Sequence, residues 1–228
     1  KYFKEKTLPS YLALMDASTI FQENKLAGNI KIAASKTISN YIMPNIYYDF
    51  LSKYKDVKLD ILTINSSSII DKILKNELDI GLIEVDTQNS SLIKEKLADD
   101  ELIVVSSDEK HPSIAFIDAI KKRWILREIG SGTREIFMSK IGEISKELDI
   151  FMQLQDFEEI KTIVLNNKNT VTVLSKVIVK KELKQKKLFE IKLKNIEFKR
   201  EFYLVYHKDK TKNLLFETFI EFIKNRLN

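Results

Sequence analysis

The feature that most restricts how this chain can fold is a unit that occurs twice near its start: an apolar run, a short polar loop and an amphipathic helix. Ile30 to Ser35 reads as a strand with apolar residues on both faces, as in a buried parallel strand. The loop Ser35-Lys-Thr-Ile-Ser39 follows, and then a helix whose Ile42, Ile46, Phe50 and Tyr54 recur at i+4, with Pro44 tolerated in its first turns. Val57 to Ile64, the break Asn65-Ser-Ser-Ser68 and the stripe Ile69, Ile70, Ile73 and Leu74 repeat that order, with Ser67 or Ser68 available as the helix cap. Leu78 to Ile83 is a third strand. Strands joined through helices pair in parallel, and ligands of parallel sheets bind beyond the carboxyl ends of the strands, where the helices begin. The two loops rich in serine and threonine occupy that edge.

The alternation continues through strands at Leu102–Ser106, Trp124–Leu126, Phe151–Leu154, Val171–Leu174 and Phe198–Tyr206. Helices are expected at Ile117–Lys122, Arg134–Leu148 and Phe157–Leu165, and at the end, where Leu215, Phe219, Phe222 and Ile223 share a face. Leu8 to Gln22 reads as a connecting helix. At Gly130-Ser-Gly-Thr133 a strand breaks and restarts as a helix. The glycines permit positive φ and close backbone approach, Ser131 or Thr133 can cap the helix, and its free N–H groups attract anions. The pattern is that of two small α/β lobes with ligand-type loops in each, and a cleft between lobes favours a small-molecule site.

Several function classes are excluded. No cysteine is present, so disulfides, thiolate metal sites and cysteine nucleophiles do not arise. His111 and His207 lie far apart with no second histidine at metal-ligand spacing, and no Ser-His-Asp set can be assembled. Gly-Ser-Gly-Thr-Arg-Glu lacks the lysine and spacing of a phosphate-binding P-loop. The net charge of +5 comes from 38 basic and 33 acidic residues that alternate along the chain, and the basic run Lys180–Lys187 reads as one exposed helix face. No apolar run reaches the ~20 residues that span a bilayer.

The residues resemble the effector-binding domain of LysR-type bacterial transcription regulators, which shares the fold of type 2 periplasmic binding proteins. Leu26-Ala-Gly-Asn-Ile-Lys-Ile resembles the family's G-x-L-x-I-G opening, and Ile42-Met-Pro44 its L-L-P. Phe50-Leu-Ser-Lys-Tyr-Lys-Asp-Val-Lys-Leu59 resembles F-x-x-x-Y-P-D-V-x-L, and Asn76-Glu-Leu-Asp-Ile-Gly-Leu-Ile83 resembles G-x-L-D-L-A-I. Glu101-Leu-Ile-Val-Val, His111-Pro112 and Glu128-Ile-Gly-Ser-Gly-Thr-Arg134 follow in family order. Lys55, Glu77 and the stretch Asn167 to Val171 depart from the pattern at turns.

The resemblance implies two Rossmann-like α/β lobes joined by two crossover strands, preceded by a partial linker helix. Residues 1–27 would end that helix, 28–102 and 204–228 would form lobe I, and 103–203 lobe II. It implies a small effector, commonly an anion or carboxylate, held between the lobes by Ser35, Thr37, Ser66, Ser67 and Ser131, with Thr133 and Thr170 as further candidates and no buried Lys or Arg. Arg134 is expected instead as an ion-pairing residue on a helix surface. The hydroxyls also have purely structural readings, as caps or turn residues. No cofactor, metal or membrane partner is implied. A homodimer, a tetramer of the parent protein, a cytoplasmic location and DNA binding through an N-terminal winged helix-turn-helix outside this chain are. The chain does not start with Met and is expected to be a piece of a longer protein. A solute-binding protein of the same fold is the alternative, distinguished by what lies upstream.

Overall fold

A computed structural model describes residues 26–109, 113–114, 116–193 and 196–227. The expected linker helix therefore lies outside the described residues, apart from Leu26 and from Ala27, which opens the first strand. His111-Pro112 lies outside them as well.

The strands are β1 (Ala27–Ala34), β2 (Asp56–Thr63), β3 (Ile80–Ile83), β4 (Leu92–Ser106), β5 (Ser113–Ile114), β6 (Arg123–Arg127), β7 (Ile150–Leu154), β8 (Thr170–Ser175), β9 (Phe189–Leu193) and β10 (Phe198–His207). They form one sheet in the order β2-β1-β3-β10-β4-β8-β6-β7, with β9 pairing β4 and β5 pairing β9. β1 pairs β2 and β3 in parallel, and β6 pairs β7 and β8 in parallel. Between these parallel halves, β4 and β10 run antiparallel to each other from Leu92↔His207 to Leu102↔Phe198, and together they cross from lobe I to lobe II. The helices are α1 (Pro44–Lys53), α2 (Ser66–Leu74), α3 (Phe116–Ile120), α4 (Gly132–Ile141), α5 (Phe157–Asn166), α6 (Lys176–Lys184) and α7 (Leu214–Leu227).

Period-two alternation distributes each strand's side chains between two cores. In β1, Ile30, Ile32 and Ala34 pack with Phe50 of α1 and Phe219 and Ile223 of α7, while Ala33 turns to Ile69 and Ile73 of α2. In β6, Trp124 and Leu126 meet Phe137 and Ile141 of α4, while Ile125 meets Ile160 and Val164 of α5 and Ile178 of α6. Each lobe is thus a sheet with helices on both faces.

Local differences from the expected elements have identifiable causes. β4 starts ten residues earlier than the apolar run Leu102–Ser106, because its first part, Ile93-Lys-Glu-Lys-Leu-Ala-Asp-Asp, pairs with β10 while much of it faces solvent. The helix expected over Arg134–Leu148 ends at Ile141, where Gly142 takes φ 58°, and a 3-10 segment covers Gly142–Glu147. Ile38–Ile42 form a π-type turn before α1, which starts at Pro44. β2 is an edge strand, so of its alternating Val57, Leu59 and Ile61 only Val57 is buried. No helix among the described residues is long and apolar enough to cross a membrane.

Candidate functional site

The carboxyl ends of β1, β3 and β6 meet at one edge of the sheet, and the hydroxyl-bearing loops lie there. Ser35 follows β1, where its N–H donates to Leu82 O at 2.9 Å and its hydroxyl donates to Glu84 Oε1 at 2.6 Å. Ser66 opens α2, and its Oγ accepts the Glu84 N–H at 3.3 Å. From lobe II, the Thr133 hydroxyl donates to Glu84 Oε2 at 3.4 Å. Ser131 holds the cap position of α4 in extended conformation, buried, with no side-chain cap bond. The turn before it depends on two glycines. Gly130 has φ 86°, and a Cβ there would sit 3.2 Å from Asn65 Nδ2 and 3.4 Å from Ser67 Oγ. At Gly132 a Cβ would lie 2.9 Å from Glu84 Cβ, so only glycine lets α4 start this close to lobe I.

The centre of the site is a buried ion network. Arg200 on β10 donates through Nη1 to Glu84 Oε2 at 2.8 Å and to Thr133 Oγ1 at 3.1 Å, and through Nε to Asp100 Oδ2 on β4 at 2.6 Å. Ser175, which caps α6, donates to Asp100 Oδ1 at 2.8 Å. The Glu84 and Arg200 side chains are 3% and 1% exposed, so solvent screens the pair little. Burial alone would raise the Glu84 carboxyl pKa, but the Arg200 charge, the Ser35 and Thr37 hydroxyls and the Arg127 charge outweigh it and hold the group below its ordinary range. Thr37 is fully buried near this carboxylate, yet its hydroxyl forms no hydrogen bond of normal geometry, and Arg200 Nη2 is also buried without a partner.

Ser35, Thr37, Ser66, Ser131 and Thr133 are thus brought to one interlobe seam. Ser67 lies at its exposed rim, with 3.4 Å approaches to Gly130 O and Glu135 Oε1. It does not cap α2, because the Asn65 side chain accepts the Ser68 N–H at 2.9 Å. Thr170 is not brought in. It opens β8 opposite Arg123, at the amino-terminal edge of the parallel β6–β8 pair, and its hydroxyl bonds to Asn167 O. Ser175 ends the same strand at the site edge. Arg134 donates to Arg127 O and Gln153 Oε1 and so anchors the start of α4 to the end of β6 and to β7.

The expectation of a site without a buried Lys or Arg is corrected by Arg200, which enters from a crossover strand. The signal was present: Phe198, Arg200, Phe202 and Leu204 occupy the alternate, buried positions of β10. Glu84 directly follows the fully buried β3, where a carboxylate cannot reach solvent.

Two further contacts tie the lobes together on the other side of the seam. Lys36 Nζ donates to Gln155 O at 2.6 Å, and the Tyr41 ring packs tilted against Phe157, 5.6 Å between centroids, while its hydroxyl donates to Glu158. A groove of about 610 Å³ along α4 reaches Glu84 and Arg200 past Glu135, Ile136 and Tyr203. Among the described residues no cluster of His, Cys, Asp or Glu is arranged to hold a metal ion.

Comparison with known proteins places these features in a family context. The family model of the LysR substrate binding domain matches residues 23–228. The HTH-type transcriptional regulator CysL of Bacillus subtilis is 28% identical over 205 residues, covering 87% of this chain and 67% of that protein. The regulatory domain of CcmR from Synechocystis, solved in complex with 2-PG, superposes with a TM-score of 0.76 at 21% identity, over 88% of this chain and 98% of that one. A chain from Clostridium perfringens described as a phosphate ABC transporter substrate-binding protein, solved with bound phosphate, gives a TM-score of 0.72 at 19% identity, over 86% and 93%. These two structural likenesses are likenesses of fold.

Proposed function

This chain belongs to the LysR substrate-binding domain family, and from that premise we propose that it is the effector-sensing part of a bacterial transcription regulator. It binds a small ligand between its lobes and passes the change to a DNA-binding winged helix-turn-helix of the parent protein. The observation that carries this reading is the convergence of Ser35, Thr37 and Ser66 from one lobe with Ser131 and Thr133 from the other around Arg200 Nη2, a buried donor without a partner, and the Thr37 hydroxyl, which Glu84 holds only loosely. Buried donors without partners are costly, and a ligand oxygen would satisfy them. The α2 and α4 starts add oriented N–H groups.

We divide the chain as lobe I (28–102 and 204–228) and lobe II (103–203), with β4 and β10 as the hinge. A ligand shifts the lobe arrangement only by its differential affinity for one of them. Homodimerisation is part of the proposal, supported by edge strand β2, which exposes Ile61 and Leu62. So are a tetrameric parent protein and a cytoplasmic location, both in keeping with relatives that are transcription regulators. The same relatives give no support to a catalytic role or to the solute-binding alternative.

A thermal-shift screen with small carboxylates, sulfate, phosphate and hydroxy acids tests the site. A specific ligand at about 100 times its dissociation constant adds ~2.7 kcal/mol of stability. Ser131→Ala and Thr37→Ala should each weaken the hit, and Thr170→Ala should not. Affinity unchanged in the first two variants refutes the assignment.

A further inference from the structure

The interlobe seam carries a charge that a plain anion site would not have. Glu84 and Asp100 face a single cation, Arg200, in direct contact, while the nearby Arg127 is matched by Glu128 at 2.8 Å. In direct contact, then, two carboxylates share one guanidinium. The hydrogen-bonding capacity of the site points the same way. A carboxylate offers about four lone-pair directions. Glu84 accepts from Ser35 at 2.6 Å and Arg200 at 2.8 Å, and more loosely from Thr133 at 3.4 Å and from the Thr37 hydroxyl, so a well-placed ligand donor can replace a loose one. Beside it Arg200 Nη2 is a buried donor without an acceptor, and the Thr37 hydroxyl is held only loosely by the carboxylate. These groups call for a ligand that both donates to a carboxylate and accepts from a hydroxyl and a guanidinium.

We propose that Glu84 makes this site selective for small oxyacids that also bring a hydrogen-bond donor, either a hydroxyl group or a proton retained on the oxyanion, over fully ionised anions that have none. The inference rests on reading the seam as the effector site and names the class of ligand it takes. A donor-free anion placed against Arg200 Nη2 and Thr37 meets the Glu84 charge at close range in a poorly screened setting, and the repulsion opposes binding. A ligand hydroxyl turns the same carboxylate into the acceptor of a charge-assisted hydrogen bond. The analogue lacking the donor brings its charge against Glu84 with no hydrogen bond to offset the repulsion, and this separates the two ligands.

Two matched pairs of probes test it by calorimetry on this chain at neutral pH: inorganic phosphate against inorganic sulfate, and glycolate against acetate. Phosphate keeps at least one proton under these conditions and sulfate keeps none. Glycolate differs from acetate by one hydroxyl. Phosphate and glycolate should bind at least roughly tenfold more tightly than their partners, the equivalent of about 1.4 kcal/mol. E84Q removes the charge and offers an amide N–H, so it should bring the members of each pair close to parity. T37V, which retains shape and loses the hydroxyl, should weaken both members of a pair by a similar factor and keep their ratio, and circular dichroism checks that each variant folds. If E84Q does not fold, the wild-type ratio and T37V decide. Equal binding within both pairs, or no binding of any probe at millimolar concentration, overturns the ligand class. In the first case a loss in T37V would leave the interlobe site standing, and no loss in either variant would remove the site with it.

Discussion

Replacing Arg200 by Met is the most searching perturbation of this molecule, because one side chain is the direct ion-pair partner of two carboxylates within the sheet. Arg200 is bonded to Glu84 at 2.8 Å and to Asp100 at 2.6 Å, and its side chain is 1% exposed. Removing one partner of a buried pair costs about 3–5 kcal/mol, because the charge left behind stays desolvated. For a chain of this length each kcal/mol shifts Tm by about 2–4 °C, so R200M should melt roughly 6–20 °C below the parent at neutral pH. The pH dependence makes the test specific. In the parent, the Glu84 carboxyl is held below its ordinary value of 4.5, so its contribution is present above that value and is lost as pH falls through the folded pKa. In R200M, burial is no longer opposed by the Arg200 charge, and the folded pKa should rise above the unfolded one. The folded state then binds more protons than the unfolded state in the intervening window, and acidification stabilises it. Thermal unfolding of both proteins at about pH 7.5 and about pH 5 should show the deficit narrowing at the lower pH. A deficit equal at the two pH values, or none at neutral pH, would refute the reasoning.

Asn65, not a serine, caps α2, so Asn65→Ala should cost about 1 kcal/mol of stability, and Ser67→Ala, at the exposed rim, less than about 0.5 kcal/mol. Chemical denaturation of the two variants checks the order, and the reverse order would make the serine the cap. Self-association is read by light scattering: the chain should run as a dimer that Leu62→Lys on the β2 edge weakens. A monomer at high protein concentration counts against the interface.

The inner parallel strands were legible because β3, β6 and β8 are buried on both faces. Runs such as Leu78-Asp-Ile-Gly-Leu-Ile83 and Trp124-Ile-Leu126 can hardly be placed anywhere but inside an α/β sheet. The loops after β1 and β6 were legible for the same reason, since apolar strands end there in Ser, Thr and Gly. The first part of β4 was not. Lys94-Glu-Lys96 and Asp99-Asp-Glu101 look like surface, and only pairing with β10, remote in sequence, makes them a strand. Arg200 and Glu84 were missed because they are remote in sequence and only pairing across the sheet brings them together. Thr170 was misplaced for a geometric reason: hydropathy shows that a strand exists near it, but not which end of the strand faces the ligand edge.

The position of β10 between β3 and β4 also governs how the molecule can be made. Tyr203, Leu204 and Val205 pair with Ile83, Leu82 and Gly81, so β3 waits for its neighbour until the chain through Val205 has left the ribosome. Lobe II lies between the two in sequence and needs nothing from β3, so its β6-β7-β8 core can close during that wait. Lobe I, by contrast, spends the interval with an apolar strand edge unpaired, the condition under which nascent chains stick to one another. Synthesis therefore places its greatest demand on the lobe that the C-terminal strand and α7 complete last.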